Sequence, residues 1–355
     1  MVKIGIVFGG PSSEHEVSLA GAKNVLEAFE SVDGYEVLPI GIDKDGSWYT
    51  GAQALPNLLS KADKNMLVID VPEISGEDVV SGQVLPPISY IDECDYIMLF
   101  IPGNFGEDGS LQGFFEVLGK KIIGCDVLAS ALCFDKAMLK ATLSGYGYNV
   151  TPGADVHLDR VDITPALYDK ICAEIGTNKL VLKPTDNGSS IGLSQAENFE
   201  EFKAGLAVAG KYTNHVVVEK FIAHKEVLVG IIGQGENLFL SALGQPYEVT
   251  DEVFKYDEKY SEALPCIVPA PVDTSVGEEI KKSAADIYKL VKCSGWARID
   301  FFVETGTNKV YVNEINTSPG MCNSSFLPIV FNHIGLDYTG LMKKILEMAI
   351  SDNAK

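Results

Sequence analysis

The chain contains no run of about 18 or more consecutive apolar residues, which excludes a membrane-spanning helix of ordinary length. It is poor in positive charge. Lysine and arginine total 28 against 49 aspartates and glutamates, a formal net charge of −21. A surface of that sign repels nucleic acid and anionic lipid, so neither is an expected partner. The seven cysteines (Cys94, Cys125, Cys133, Cys172, Cys266, Cys293, Cys322) are scattered without CxxC spacing, which argues against a zinc site or a disulfide frame and for reduced thiols. The opening MVKIGIVFGG lacks the basic start, long apolar core and cleavage site of a secretory leader, so a cytoplasmic protein is expected. Internal repeats and low-complexity tracts are absent. So are the simple phosphate-binding signatures GxxxxGK(S/T) and GxGxxG; if a nucleotide binds, another design holds it.

What is present suggests a multidomain α/β enzyme. A length of 355 residues exceeds one typical core, and two or three domains are expected. Val2 to Phe8 is a short apolar run ending in Gly9 and Gly10, followed by an amphipathic helix from about Glu14 to Phe29. That is a βα unit with a glycine turn, as in open parallel sheets. Glu36 to Ile42 and Tyr96 to Pro102 read as further strands of the same sheet, with a weakly patterned stretch between them and a helix near Leu55 to Lys61. Pattern and composition change near residue 125, where a domain boundary is expected. Cys125 to Gly147 reads as one helix. His215 to Ile222, Lys225 to Gly233 and Asn237 to Gly244 read as successive strands with short connections, hence antiparallel.

Two runs near the C-terminus carry the most chemistry: ARIDFF (Ala297 to Phe302) and NEINTSPG (Asn313 to Gly320). Each reads as a strand, with TGTN (Thr305 to Asn308) as the turn between them. Alternation places Arg298 and Asp300 on one face, and Glu314 and Asn316 on one face. If the two faces coincide, hard oxygen donors suited to Mg²⁺ stand beside a guanidinium that can stabilise an anion, which predicts metal-assisted phosphate chemistry. The same residues are also compatible with a solvated, charged strand face. KPTDNGSSIG has a lysine, Lys183, at a strand end, then small residues that let backbone N–H groups approach a phosphate, with Ser189 and Ser190 as hydroxyl donors. An ordinary Gly/Ser turn would look alike. VVVEKFI offers Glu219, Lys220 and Ile222 at a strand end, with Glu226 close behind, as adenine and ribose contacts or simply as an edge strand. FKYDEKY (Phe254 to Tyr260) reads as a lid, with Lys259 reaching a γ-phosphate and Tyr260 closing the pocket. Glu14 stands at a helix start, as a cap or as the holder of a substrate ammonium.

Taken together, GGPSSEHEVSL, GNFGEDGSLQG, LASALCFDK, KPTDNGSSIG, VVVEKFI with Glu226, the lid ending at Tyr260, ARIDFF and NEINTSPG resemble the D-alanine–D-alanine ligase family of the ATP-grasp superfamily, in the family's order and over nearly the whole chain. The resemblance implies an N-terminal open parallel α/β domain (residues 1–125, preATP-grasp-like) and a two-part ATP-grasp fold with antiparallel sheets (126–219 and 220–355, with a lid at about 246–265). It implies ATP-dependent joining of two D-alanines for peptidoglycan, with two Mg²⁺ ions, or Mn²⁺ in their place, held by Asp300, Glu314 and Asn316. Lys136, Lys183 and Lys259 then resemble phosphate ligands, with Ser190 in the phosphate loop. Glu219, Lys220, Ile222 and Glu226 resemble the adenine and ribose contacts. Glu14, Ser189 and Tyr260 resemble the triad that closes the lid. Arg298 and the Gly320 backbone N–H resemble the oxyanion stabilisers, and Ser325 the holder of the second substrate's carboxylate. Family members are commonly homodimers, which is the expected state here.

Two departures bear on substrate identity. Pro102-Gly103 stands where the family usually has His-Gly, beside the first amino acid. In MCNSSFLP, Cys322 replaces a threonine and Phe326 adds bulk beside the second-substrate position. D-serine and D-lactate are therefore alternative second substrates, while the nucleotide and metal residues match the family.

Overall fold

The computed structural model describes residues 1–63, 82–188, 191–246 and 266–352. The N-terminal sheet is built from β1 (Val2–Gly9), β2 (Tyr35–Ile42), β3 (Trp48–Thr50), β4 (Tyr96–Phe100) and β5 (Lys121–Ile123), in the order β3-β2-β1-β4-β5. Four of these strands run parallel, as the glycine-turn βα pattern predicts, and the short β3 pairs antiparallel to β2 at the edge. Buried side chains on both faces explain the near-continuous apolar runs of the central strands. Ile4, Ile6 and Phe8 pack on the side of α1 (His15–Phe29), and Val7 packs on the opposite side with Ile40, Ile97 and Phe115. Helices α2 (Ala54–Lys61), α3 (Ile88–Asp92) and α4 (Ser110–Val117) complete this part. The strand order reverses between β1 and β4, and a crevice at such a switch point is where ligands of open α/β sheets bind.

The segment expected as one helix is two: α5 (Val127–Phe134) and α6 (Lys136–Gly145). Asp135 breaks the run. It adopts φ −79°, ψ 103°, and its carboxylate accepts the N–H groups of Ala137 and Met138, capping α6. Both helices share a core with the C-terminal sheet, through Ala129, Cys133, Leu139 and Leu143.

The central sheet contains β6 (Gly153–His157), β7 (Leu180–Pro184), β8 (Ser194–Ala196) and β9 (His215–Lys220), ordered β6-β9-β7-β8 with every pair antiparallel. One face packs on α7 (Pro165–Ile175) and α8 (Phe199–Ala209) through Leu180, Leu182, Val216 and Val218. The opposite face therefore carries Lys183 and Glu219. The C-terminal sheet contains β10 (His224–Gln234), β11 (Asn237–Pro246), β12 (Cys266–Ile267), β13 (Trp296–Glu304) and β14 (Val310–Asn316), ordered β12-β11-β10-β13-β14. The expected antiparallel series is thus corrected. β10 and β11 form a hairpin, but β9 and β10 belong to different sheets, because the chain turns at residues 221–223 from one sheet into the next. Helix α9 (Thr274–Leu290) covers one face of the C-terminal sheet with Ile280, Ala284 and Ile287, each fully buried on a single stripe. Helices α10 (Phe326–Asn332) and α11 (Tyr338–Asp352) cover the other and reach the N-terminal core. Among the described residues no helix is long and apolar enough to cross a membrane.

The approach to β13 is sterically tight. Gly295 has φ +72°, and a Cβ there would lie 2.6 Å from the Cα and N of Gly124. Gly295→Ala is expected to lower the urea midpoint by the equivalent of ~2 kcal/mol or more. Gly306→Ala, at φ +84° with open space around it, tests backbone strain alone and should cost only ~1 kcal/mol.

Candidate active site

β13 and β14 form the expected hairpin, and its pairing brings the two polar faces together. Arg298 stands opposite Asn316, and Asp300 opposite Glu314. A bulge makes this possible: Asp300 pairs with Glu314 but Phe301 with Val312, so Asn313 is the extra residue. Val310, Val312 and Ile315 can then all face the core under α9, while Glu314 and Asn316 face away from it together with Arg298 and Asp300. Arg298 forms a two-point fork on Asp300, Nε to Oδ1 at 2.8 Å and a terminal NH₂ to Oδ2 at 2.7 Å. The Asn316 amide donates to the same Oδ2 at 3.1 Å. Burial opposes the charge on Arg298, but Asp300 first, then Glu314 and Glu226, hold its pKa above the ordinary guanidinium value. The Phe326 ring lies under this guanidinium, 5.7 Å from ring centroid to Cζ, within cation–π range. The solvated-face alternative fails, since Asp300 is 1% exposed.

Across from the hairpin, Glu219 of β9 sits between two lysines. Its Oε2 is 2.8 Å from the Lys183 ammonium, and its Oε1 pairs with Lys140 of α6. Burial would raise the Glu219 carboxyl, but Lys140 and Lys183 outweigh burial and bring its pKa down to about 2. Burial pulls the Lys183 pKa down, yet Glu219, Glu314 and Glu226 leave it raised overall. Lys140 ends lowered, because desolvation exceeds its gain from Glu219 and both Lys183 and Lys136 repel it. Lys183, Glu226, Arg298 and Glu314 therefore share one electrostatic neighbourhood. Lys136 opens α6 and ties down the loop after β7: its Nζ donates to the Asn187 carbonyl at 2.7 Å and its backbone N–H to Thr185 at 3.0 Å. Lys220 ends β9 with its N–H on the Pro152 carbonyl at 2.8 Å. Ile222 is buried in the connection to β10, its carbonyl 2.6 Å from His224 Nδ1.

Glu14 occupies the N-cap position of α1 but makes no side-chain cap bond, so capping does not account for it. Its carboxylate instead lies at the crevice beyond β1 and β4. A Cβ built on Gly103 would come within 2.9 Å of Glu14 Oε2, and one on Gly188 within 3.2 Å. Glu14 thus stands between the turn after β4, which starts at Pro102, and the loop after Lys183. Ser189, Ser190, Lys259 and Tyr260, with the expected lid, lie outside the described residues. Gly320 faces Ser325, whose Oγ would be 3.0 Å from a Cβ at Gly320 and accepts the Cys322 N–H at 3.0 Å. Cys322 is buried against α1, its thiol donating to the Val17 carbonyl at 3.9 Å.

Two residues of this neighbourhood were not singled out from the sequence. Lys140 follows Lys136 by one helical turn, and that i, i+4 spacing was a usable signal. Glu107 lies inside the quoted GEDG turn; it is buried and accepts backbone N–H groups from Gly103 at 2.9 Å and Ser318 at 2.7 Å. Asp300, Glu314 and Asn316 supply two carboxylates and an amide oxygen, a donor set whose chemistry would fit a hard divalent cation. Among the described residues no group of three or more His, Cys, Asp or Glu side chains could hold a metal on its own. Only two of these donors are carboxylates.

The charge balance around Glu219 predicts an order of mutational effects. Glu219→Gln removes the counter-charge shared by two buried ammonium groups, leaving Lys183 to Glu314 and Glu226, and should cost ~3–5 kcal/mol in urea unfolding, whereas Lys140→Met leaves a balanced Lys183–Glu219 pair and should cost clearly less. Because the folded carboxyl titrates at about 2, below its usual 4.5, this stabilisation is complete above the usual value. It is lost as pH falls toward 2, and the Gln variant should lack that acid limb.

A family model described as D-ala D-ala ligase N-terminus matches residues 3–125, and one described as D-ala D-ala ligase C-terminus matches residues 144–347. The chain is 33% identical over 366 residues to the D-alanine–D-alanine ligase A of Escherichia coli strain K12, covering 99% of this chain and 97% of that one. It is 34% identical over 363 residues to the D-alanine–D-alanine ligase of Clostridium novyi, covering 99% of each. Among solved structures it resembles the VanG D-Ala:D-Ser ligase from Enterococcus faecalis, at TM-score 0.79 and 29% identity over 98% of this chain and 99% of that one. It also resembles the D-alanine–D-alanine ligase from Coxiella burnetii, at TM-score 0.78 and 27% identity over 100% and 96%. The chain belongs to the D-alanine–D-alanine ligase family.

Proposed function

We propose that this enzyme joins two D-alanine molecules at the expense of ATP, giving D-alanyl-D-alanine, ADP and phosphate. The observation that carries this reading is the assembly of Arg298, Asp300, Glu314 and Asn316 on one face of the hairpin, in the same charged neighbourhood as Lys183 and Glu219. The adenine and ribose lie along Glu219, Lys220, Ile222 and Glu226, and Lys136, Lys183 and Lys259 neutralise the phosphates beside the backbone and hydroxyls of Ser189 and Ser190. Asp300, Glu314 and Asn316 hold Mg²⁺, which when bound neutralises charge developing on the transferred phosphoryl group.

The first D-alanine places its ammonium on Glu14. Its carboxylate attacks the γ-phosphorus of ATP, the bond to the ADP oxygen breaks, and an acyl phosphate results. The second D-alanine, its carboxylate held by Ser325, attacks the acyl carbon through its amine. Arg298 and the Gly320 N–H stabilise the tetrahedral oxyanion, which collapses with loss of phosphate. Glu14, Ser189 and Tyr260 close the lid and exclude the water that would hydrolyse the acyl phosphate. The fork on Asp300 and the ring of Phe326 hold the Arg298 plane in place before the oxyanion forms. The product serves peptidoglycan precursor synthesis, hence wall assembly and cell shape, in the cytoplasm, and the enzyme acts as a homodimer.

A second reading keeps the chemistry and changes the second substrate to D-serine or D-lactate. It is supported by Phe326 against Arg298, by Pro102 at the first-substrate turn, and by the likeness to a D-Ala:D-Ser ligase. Protein supplied with ATP, Mg²⁺ and D-alanine is expected to release one phosphate per dipeptide formed, measured by phosphate assay and chromatography. Preferential turnover when D-serine or D-lactate is the second substrate would favour the second reading, and no turnover with any of them would reject both. Arg298→Ala should lower kcat about 100-fold, the loss of an oxyanion donor worth ~3 kcal/mol. If Pro102 sets first-substrate choice, Pro102→His should raise kcat/KM for D-alanine in the first position.

A further inference from the structure

Glu107 joins two parts of the cleft that are far apart in sequence. It lies in the turn between β4 and α4, and both of its carboxylate oxygens face main-chain donors. Oε2 takes the Gly103 N–H at 2.9 Å, and Oε1 takes the Ser318 N–H at 2.7 Å, 211 residues along the chain. Ser318 is fixed again by its own hydroxyl, which donates to the Leu99 carbonyl at 3.1 Å. The first contact sets the turn that packs on Glu14, and the second sets the segment leading to Gly320. The charged groups facing Glu107 are Glu14, from the start of α1, and Arg298, from β13. Asp108 beside it turns outward to the N–H groups of Phe105 and Ser110, and Gln112 of α4 donates to the Gly106 carbonyl rather than to Glu107. Burial first, and Glu14 second, lift the Glu107 carboxyl to about 7, against the two N–H bonds and Arg298.

We propose that Glu107 is a positioning residue that ties the Ser318–Gly320 segment to the Gly103 turn, and that an ammonium bound at Glu14 drives its ionisation, so that seating the first amino acid also fixes the segment used in acyl transfer. The ligase reading enters only through the nature of that ammonium ligand. A cation beside Glu14 offsets the charge that repels an ionised Glu107. The proton then leaves Glu107 for solvent, and both N–H bonds become charge-assisted. Linkage is reciprocal: if ligand binding ionises Glu107, raising the pH through its titration must tighten ligand binding.

The stability effect has the opposite sense. A buried carboxyl whose folded pKa exceeds its usual 4.5 favours the folded state while protonated, and that contribution is lost as pH rises toward 7. Glutamine at 107 does not titrate, and it keeps one oxygen acceptor while setting its NH₂ against the other N–H.

Two measurements test the proposal. D-alanine is titrated calorimetrically into the protein at pH 7 in phosphate and in Tris, whose ionisation heats differ. The wild type is expected to release about half a proton per bound molecule at pH 7, more just below pH 7 and less above it, and Glu107→Gln to release none. Binding without proton release, or equal release from the variant, overturns the proposal. Independently of any ligand, the urea stability of wild type relative to Glu107→Gln is expected to fall between pH 5 and pH 8, and a difference constant across that range overturns it. If the variant does not fold, the upper limb of the wild-type release profile decides: it is expected to fall through its midpoint near pH 7, and a fall complete within the ordinary carboxylate range overturns the proposal. Failure to turn over D-alanine with the stability trend intact would count against the ligase reading and not against the titration of Glu107.

Discussion

The fork between Arg298 and Asp300 is the contact on which the cleft depends. Burying either charge alone would cost several kcal/mol, and the fork is tolerated because two parallel N–H···O bonds replace the lost water. It fixes both side chains on β13, the strand flanked by β10 and β14. Glu226 of β10 and Glu314 of β14 then bring further negative charge toward the guanidinium. The fork occupies both oxygens of Asp300, with Asn316 on one of them, so the donor set is ordered before any cation or phosphate arrives.

The same logic recurs on the central sheet. Glu219 would be an expensive buried carboxylate, but two lysines from different elements oppose it, one from β7 and one from α6. Its two partners respond in opposite directions, since Lys183 also feels Glu226 and Glu314, whereas at Lys140 burial outweighs the attraction of Glu219 and two further ammonium groups repel it. The cleft is therefore a run of alternating buried charges, and the central and C-terminal sheets are coupled through Lys183. The N-terminal sheet joins through Glu14, packed against Gly103 and Gly188, and through Glu107, which binds Ser318. A structure held this way uses stability to keep charges where chemistry needs them.

Much of this was legible in the chain. The glycine-ended β1, the amphipathic α1 and the stripe of α9 follow from apolar spacing, because burial alone selects those faces. The motif strings identify the family, and the full-length matches agree with it. Other features were hidden for identifiable reasons. Asp135 splits one apolar run into two helices, because a carboxylate that caps α6 outweighs continued periodicity. The break between β9 and β10 looks like a hairpin connection in sequence, since only tertiary packing decides whether consecutive strands share a sheet. Lys140 reads as an ordinary helix-surface lysine until Glu219 is placed beside it, and Glu107 as one more acid in a glycine turn until Ser318 arrives from a distant part of the chain.

By itself, the sequence determined that Arg298 shares a face with Asp300 and Glu314 with Asn316, because side chains along a strand alternate. It determined the chemical type of those donors as well. Which way the second pair faces was decided only in three dimensions. Val310 and Val312 face the core, and unbroken alternation would have sent Glu314 and Asn316 there too. The bulge at Asn313 shifts the phase by one residue, puts Ile315 in the core and turns both polar side chains toward Arg298 and Asp300. Local alternation sets which residues travel together, and the pairing with β13 sets where they point.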